Sequence, residues 1–371
     1  HRNHALHNHT SVTHPLGHTT TQAYHELRRL RAPTAPNSHT TTFTYDANGN
    51  RTSEANHLGQ TTNWTYDARD RVATMVDPRG KTWTHGYDAA GNETSITSPL
   101  GSVTTRSYDA DNRLATITDP LGNAPGGVPY AHRRSYSYDA DGNLSVETDP
   151  LGATTTHGYD RVGNKVSLVD ADSRVTTWTF DSLDRVASVT APGGAVTSYN
   201  YDTAGDVATR IDANNHTTTY DYDAEHRLTE TVSPAGQRWT SGYDAAGNRT
   251  TTVDAIANAA GNPALGRTTA AYDRVGRLSG IDYSTSTPDV TFGYDGAGNR
   301  TSMTDGAGIE TRGYDAADRL TSVARGSLAI TYGYDAAGNV TTRTYPGQTP
   351  IAYAYDDDGR MASVVNGANT T

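Results

Sequence analysis

Cysteine is absent from the 371 residues, which excludes disulfide staples and thiol chemistry alike. Apolar residues are scarce: hydrophobic types make up 34% of the chain, with 3 Met, 3 Phe and 4 Trp, and the mean hydropathy is -0.69. A thick aliphatic core cannot be assembled from this material, and no apolar run is long enough to cross a bilayer. Positive charge is in the minority, 30 Lys and Arg against 41 Asp and Glu, for a net charge of -11. No basic cluster alternates with aromatics, so a nucleic-acid surface is not expected. Catalytic signatures are missing as well. There is no G-x-S-x-G elbow, P-loop or H-E-x-x-H, and His25-Glu26-Leu27-Arg28-Arg29 begins like the last of these but lacks its second histidine. No signal-peptide pattern is present, and the first residue is His1 rather than Met, as expected if a leader has been removed.

What is abundant is tyrosine, 23 residues, together with Gly, Thr, Asp and Asn. They are arranged periodically. A Tyr/Phe-Asp step recurs about every 21 residues, at Tyr45, Tyr66, Tyr87, Tyr108, Tyr138, Tyr159, Phe180, Tyr201, Tyr222, Tyr243, Tyr272, Tyr294, Tyr314, Tyr334 and Tyr355. Repetition at this period denotes stacked supersecondary units, and such regularity argues against disorder despite the low hydrophobicity. With Tyr as position 0, position +4 is Gly49, Asp70, Gly91, Asn112, Gly142, Gly163, Asp184, Gly205, His226, Gly247, Gly276, Gly298, Asp318, Gly338 or Gly359. These residue types best tolerate positive φ, so a hairpin turn is expected there, capped by the Asp at +1. The structural turn glycines are thus Gly49, Gly91, Gly142, Gly163, Gly247, Gly298 and Gly338. A second corner lies at +11 to +14, as in Asp77-Pro78-Arg79-Gly80, Asp119-Pro120-Leu121-Gly122 and Asp149-Pro150-Leu151-Gly152, with Ser98-Pro99-Leu100-Gly101 and Ser233-Pro234-Ala235-Gly236 as variants. Two corners per unit leave two strands.

The strand entering each Tyr alternates, with an aromatic at position -2 in nine of fifteen units, so positions -2 and 0 share a face. Stacked units are expected to line these residues up as an aromatic ladder, which favours a structural role for the tyrosines over ligand binding. Units also alternate in class. One has Asn at +5, as Asn50, Asn92, Asn248 and Asn299; the other has Arg, as Arg71, Arg113, Arg185, Arg227, Arg319 and Arg360. The repeat is therefore about 42 residues, and the Arg is expected to meet a neighbouring unit's Asp at +1. The whole chain, 1–371, reads as one array: 1–40 degenerate, 41–371 regular, with insertions near 123–131 and 255–263. Both insertions follow the second corner, marking it as the exposed rim and the Tyr-Asp corner as the packed one. The array shows no polar cap at either end, as expected of a piece of a longer array or of a subunit that stacks end to end.

Tyr45-Asp46-Ala47-Asn48-Gly49-Asn50-Arg51, Tyr243-Asp244-Ala245-Ala246-Gly247-Asn248-Arg249 and Tyr314-Asp315-Ala316-Ala317-Asp318-Arg319-Leu320 resemble the YD repeats of the RHS family, as does Asp-Pro-Leu-Gly at 119–122. The resemblance covers practically the whole chain. It implies an all-β fold in which hairpins form a spiralling sheet, a β-solenoid-like shell or tube. It also implies an extracellular or cell-surface location, since bacterial members are secreted or surface proteins, often toxin cocoons, and animal teneurins use a related shell in adhesion. The self-cleaving segment and variable domain that follow the shell in family toxins are not visible here. The Asp-Pro steps sit in a repeated turn and take no protease role.

The expected function is a non-catalytic extracellular structural protein building a shell, tube or filament, with no catalytic, cofactor or metal residues. Two alternatives are the encapsulating shell fragment of an Rhs-type toxin and a carbohydrate-binding adhesin using Trp64, Trp83 and Trp178. Partners follow accordingly: self-association or a longer array, an enclosed toxin cargo, or glycans, without nucleic acid or membrane insertion. Asp139-Ala140-Asp141-Gly142-Asn143 mimics the start of a calcium loop, but its Gly is two places early, and it reads as an ordinary turn. His4, His7 and His9 suggest a metal, yet histidines here replace repeat Asp and Arg, which reads as drift.

Overall fold

The computed structural model describes residues 2–3, 9–13, 19–35, 38–367 and 369–370. Nearly all of them are strand or turn, and each repeat is the antiparallel hairpin expected from its two corners, as in Thr61–Tyr66 paired with Val72–Val76. Consecutive hairpins pair in chain order, so the strands from Thr42 to Thr370 make one continuous sheet that rolls round and closes. The degenerate N-terminal units form a separate four-stranded sheet, Arg2–Asn3, His9–Thr13, Thr19–Tyr24 and Leu30–Thr34. Among the described residues, the bridge from Thr34 to Thr40, a bond from Tyr45 Oη to Leu30 O and one from Arg29 Nη1 to Asp46 O tie it to the long sheet. The N-terminal histidine group at 4, 7 and 9 lies outside the described side chains.

Both corners use one turn. At the Tyr-Asp corner the Gly49 amide donates to Asp46 O and the Asp46 amide to Asn50 O; at the second, Gly80 donates to Asp77 O and Asp77 to Lys81 O. This is a type I turn closed by a residue of positive φ, with a bulge before each Tyr-Asp corner. All fifteen +4 residues have positive φ. The two classes differ in detail: Asp70, Asn112, Asp184, His226 and Asp318 lie at 58–61°, whereas Gly49, Gly91, Gly142, Gly163, Gly247, Gly298 and Gly338 lie at 89–102°. The first range is the ordinary left-handed well; the second is one that a Cβ makes costly.

The insertions behave differently from an ordinary corner. Asp119-Pro120-Leu121-Gly122, expected to turn, instead starts the short helix α1 (Pro120–Asn123). Asp119 becomes the N-cap and Pro120 opens the helix, the positions each favours. The second insertion forms α2 (Ala255–Ala260), capped by Asp254 and ended by Gly261 at φ 59°. Within each, an asparagine ties the loop to the sheet. Asn123 Nδ2 donates to Val103 O and Thr118 O, and Asn258 Nδ2 to Arg238 O and Val253 O.

The sheet encloses space rather than a core. Among the described residues only Thr118, Gly122 and Ala257 are buried, all at the roots of the insertions. The surface area is 21434 Å², whereas a compact chain of this mass exposes about 14,000 Å². The excess is what a single-layer wall with two wetted faces gives.

Candidate functional site

The chemistry of this molecule is concentrated in three places: the Tyr-Asp corners, the seam where the sheet meets itself, and the inner face. At the corners, Asp at +1 caps the turn as expected, its Oδ1 accepting from the amides of the loop, as Asp67 does from Arg69 and Arg71. The Arg at +5, however, does not reach a neighbour's carboxylate. Arg71 Nε and Nη2 bind Asp67 of its own corner, at 2.8 and 2.6 Å. The same own-corner pairing recurs at Arg113, Arg185, Arg227, Arg277 and Arg319. What crosses to the next unit is Nη1, which donates to the Asp88 carbonyl at 3.2 Å while the guanidinium covers the Tyr87 ring at 4.4 Å. Carboxylate and guanidinium are held in one turn, too close for the former to serve a neighbour. The Arg71 hydrogen bond holds the Asp67 carboxyl at about 2, well below the ordinary range.

Asn-class units use a different clamp. Asn50 Nδ2 donates to its own Asp46 and to Asp70 Oδ1 of the next unit, and Asn92, Asn164 and Asn299 reach Asn112, Asp184 and Asp318 in the same way. This explains the alternation. After four Asn-class units the next +4 residue carries an acceptor side chain (Asp70, Asn112, Asp184 and Asp318), with Gly163, Gly276 and Gly359 after the other three; after an Arg-class unit it is Gly, and at Gly91, Gly142, Gly205 and Gly298 the preceding guanidinium lies within 4 Å of where a Cβ would stand. A Cβ on Gly49 would lie 3.2 Å from Arg29 Nη1, and one on Gly142 3.6 Å from Arg113 Nη1.

The tyrosines form a row rather than a stack. Two strands separate successive rings, roughly 10 Å, beyond ring-contact range. A ring stack is made by His39 on His57. The tyrosines act through their hydroxyls instead. Each donates to the +6 carbonyl of the preceding unit, as Tyr66 to Arg51, Tyr87 to Val72 and Tyr108 to Glu93. The same bond is made by Tyr45, Tyr138, Tyr159, Tyr201, Tyr222, Tyr243, Tyr272, Tyr294, Tyr314, Tyr334 and Tyr355. Phe180 has no hydroxyl to give.

The seam joins opposite rims. Second corners early in the chain meet Tyr-Asp corners late in it. Arg79, anchored on Asp77, donates to the carbonyls of Asp356 and Asp357, and Lys81 binds the Asp357 carboxylate at 2.6 Å. The neighbouring corner then receives Asp358, whose carboxylate accepts from Ser98 Oγ at 2.9 Å and the Leu100 amide at 3.0 Å. Arg79 reproduces across the seam what Arg71 does between adjacent units. Roughly two dozen strands lie between the joined corners, giving a circumference of about 120 Å and a diameter of about 40 Å.

Positions -2 and 0 are half-buried while position -1 is exposed at Thr44, Thr65, Ser107 and Thr179. The covered face is the concave one, because curling crowds its side chains. It carries aromatics and paired charges. Arg51 lies over Phe43 and Trp64, Lys165 over Trp178, His85 Nδ1 is 2.6 Å from Glu93 Oε1, and Glu93 also binds Arg106. The covered Trp64 and Trp178 are poorly placed for an outer sugar site; Trp239 is the exposed indole, at 37%. Among the described residues no three metal-binding side chains converge. The seam and the asparagine anchors were not expected from sequence. A signal existed for the first: Arg79 and Lys81 fall in one second corner and three consecutive Asp in one Tyr-Asp corner, 356–358.

Comparison with known proteins follows this geometry. A family profile described as RHS Repeat matches residues 45–82 and 87–124, and one described as Teneurin YD-shell matches 130–259 and 248–370. No curated protein matches. Among solved structures, a Tc holotoxin pore of Photorhabdus luminescens with a point-mutated TccC3 aligns at TM-score 0.70 and 16% identity, over 93% of this chain and 22% of that one. Crystal structures of TcdB2-TccC3 without its hypervariable C-terminal region and of TcdB2-TccC3-TEV align at 0.61 and 0.59, each with 14% identity over 94% of this chain. The chain spans only 22% of the length of each. The shell profile alone spans well over half of the sequence, and hairpin, corner and spiral agree with it: the chain belongs to the RHS/YD-repeat family.

Proposed function

We propose that this chain is the wall of a non-catalytic, extracellular shell whose lumen holds a polypeptide. The observation that carries the reading is the excess surface of a closed single-layer sheet, about half as much again as a compact chain would expose. The inner face supports it. Its charges are mostly neutralised in place, as at Glu93 and Glu147 with Arg106 and Arg134, which leaves half-covered aromatics and paired ions rather than a specific ligand cleft. The solved shells to which the chain is similar come from toxin complexes, which favours a toxin as the enclosed chain. The test uses an unstructured polypeptide fused after Thr371, with protease added outside. Protection in the wild type, lost when the seam is opened by Ser98→Asp, is the expected result. Equal digestion in both proteins would sink the reading.

A further inference from the structure

Which side chains face the lumen follows from the strand register. Phe43 pairs with Glu54 and Glu54 with Thr62, so positions -2, +9 and -4 share the concave face, together with Tyr at 0 and its partner at +6. Between Tyr45 and Tyr355 these positions hold four carboxylates, Glu54, Glu93, Glu147 and Glu310. Every one is neutralised in place, by Arg51, Arg106, Arg134 and Arg312 in turn. The same positions hold nine cations. Of the remaining five, Arg300 shares Glu310, while Lys165, Arg210, Arg249 and Arg343 have no carboxylate partner among the described residues. This surplus runs against the composition of the chain, in which 41 acidic residues outnumber 30 basic ones.

The surplus is concentrated in one stretch of wall. Between Glu147 and Glu310 no carboxylate stands at these positions, while Lys165, Arg210 and Arg249 do. Arg210 and Arg249 are exposed, and Lys165 lies 5.7 Å from the ring centre of Trp178. Each cation is four strands from the next, about 19 Å along the sheet. Arg343 is set apart, lying over the rings of Tyr332 and Tyr345. We propose that this stretch binds an acidic, extended segment of the enclosed polypeptide, whose carboxylates meet Lys165, Arg210 and Arg249. Its apolar side chains lie on Trp178, Tyr199 and Tyr220 between them. That the occupant is enclosed rests on the shell reading; the preference for acid does not.

Charge and spacing select this partner. A concave wall excludes part of the water and salt that weaken a charge on the outer surface, so the attraction for a carboxylate is greater inside. Cations about 19 Å apart match carboxylates roughly six residues apart in an extended chain, at about 3.3 Å per residue. A nucleic-acid strand carries a phosphate about every 3.4 Å and needs a continuous basic stripe, which three isolated cations do not make.

Fluorescence anisotropy on the full chain at low salt tests this with three labelled probes: an unstructured glutamate-rich peptide, its lysine counterpart and oligothymidylate. The glutamate peptide is expected to bind at least about tenfold more tightly than the other two. Combining Lys165→Gln, Arg210→Gln and Arg249→Gln is expected to keep the thermal midpoint and weaken that binding at least about tenfold, roughly twofold or more for each charge pair lost. Combining Arg161→Gln, Arg267→Gln and Arg274→Gln removes the same charge from exposed rim positions, and is expected to change it less than about twofold. Equal affinity for the acidic and basic peptides overturns the proposal. So does oligothymidylate that binds as tightly as the glutamate peptide, or an equal loss in the two triple variants. The preference is expected to persist in Ser98→Asp, whose open seam ends enclosure, so digestion of a fused chain and loss of the preference report on separate claims.

Discussion

Single residues hold this sheet through hydrogen bonds to their neighbours rather than through a core. Gly91 lies at φ 102° with Arg71 Nη1 packed near its missing Cβ. Gly91→Ala is expected to destabilise by about 1–3 kcal/mol, read from the urea midpoint, even though the added methyl is small. Acid should act through the corner carboxylates. Hydrogen bonds from Arg71, Arg185 and Arg227 lower Asp67, Asp181 and Asp223, and one from Asn248 lowers Asp244. A carboxylate depressed in the fold stabilises it above its unfolded value and loses that contribution as pH falls through the folded one. Stability should therefore be flat above about pH 5 and decline from about pH 4 toward the folded value of about 2 for Asp67. A circular-dichroism titration with a midpoint near neutrality would contradict this.

At the level of the hairpin, the repeat made most of the architecture readable. Tyr45-Asp46 and Gly49 announced a turn because only a few residue types accept its backbone, and Thr-rich alternation announced the strands. The mate of Arg71 was not readable, because spacing alone does not distinguish a carboxylate four residues back from one in the next unit. Nor was the conversion of the 119–122 corner into α1, which depends on Asn123 reaching back to the Val103 and Thr118 carbonyls. The equivalent bonds make Asn258 the anchor of α2. Asn258→Ala is expected to cost about 1 kcal/mol and to raise hydrogen exchange across residues 254–266 without altering the hairpins on either side. Uniform loss of protection along the sheet would show instead that the insertion supports the whole wall.

For the whole molecule, the seam turns a ribbon into a container, and sequence periodicity says nothing of which corners meet. Ser98→Asp supplies Leu100 with its own acceptor and sets two carboxylates against each other at Asp358. The expected result is an enlarged radius of gyration by small-angle scattering with unchanged strand content; an unchanged radius would mean that closure rests on other contacts. The strictly sequential pairing of strands has a mechanical consequence too. Apart from the seam, each hairpin of the described sheet pairs with the one before and the one after, so tension applied to the two termini loads the bonds one pair at a time, like a zip. Once the clasp at Arg79 gives way, stretching should release the chain in even steps of about 70 Å, one 21-residue repeat each, a regular sawtooth under an atomic force probe where a globular domain would give one tall peak.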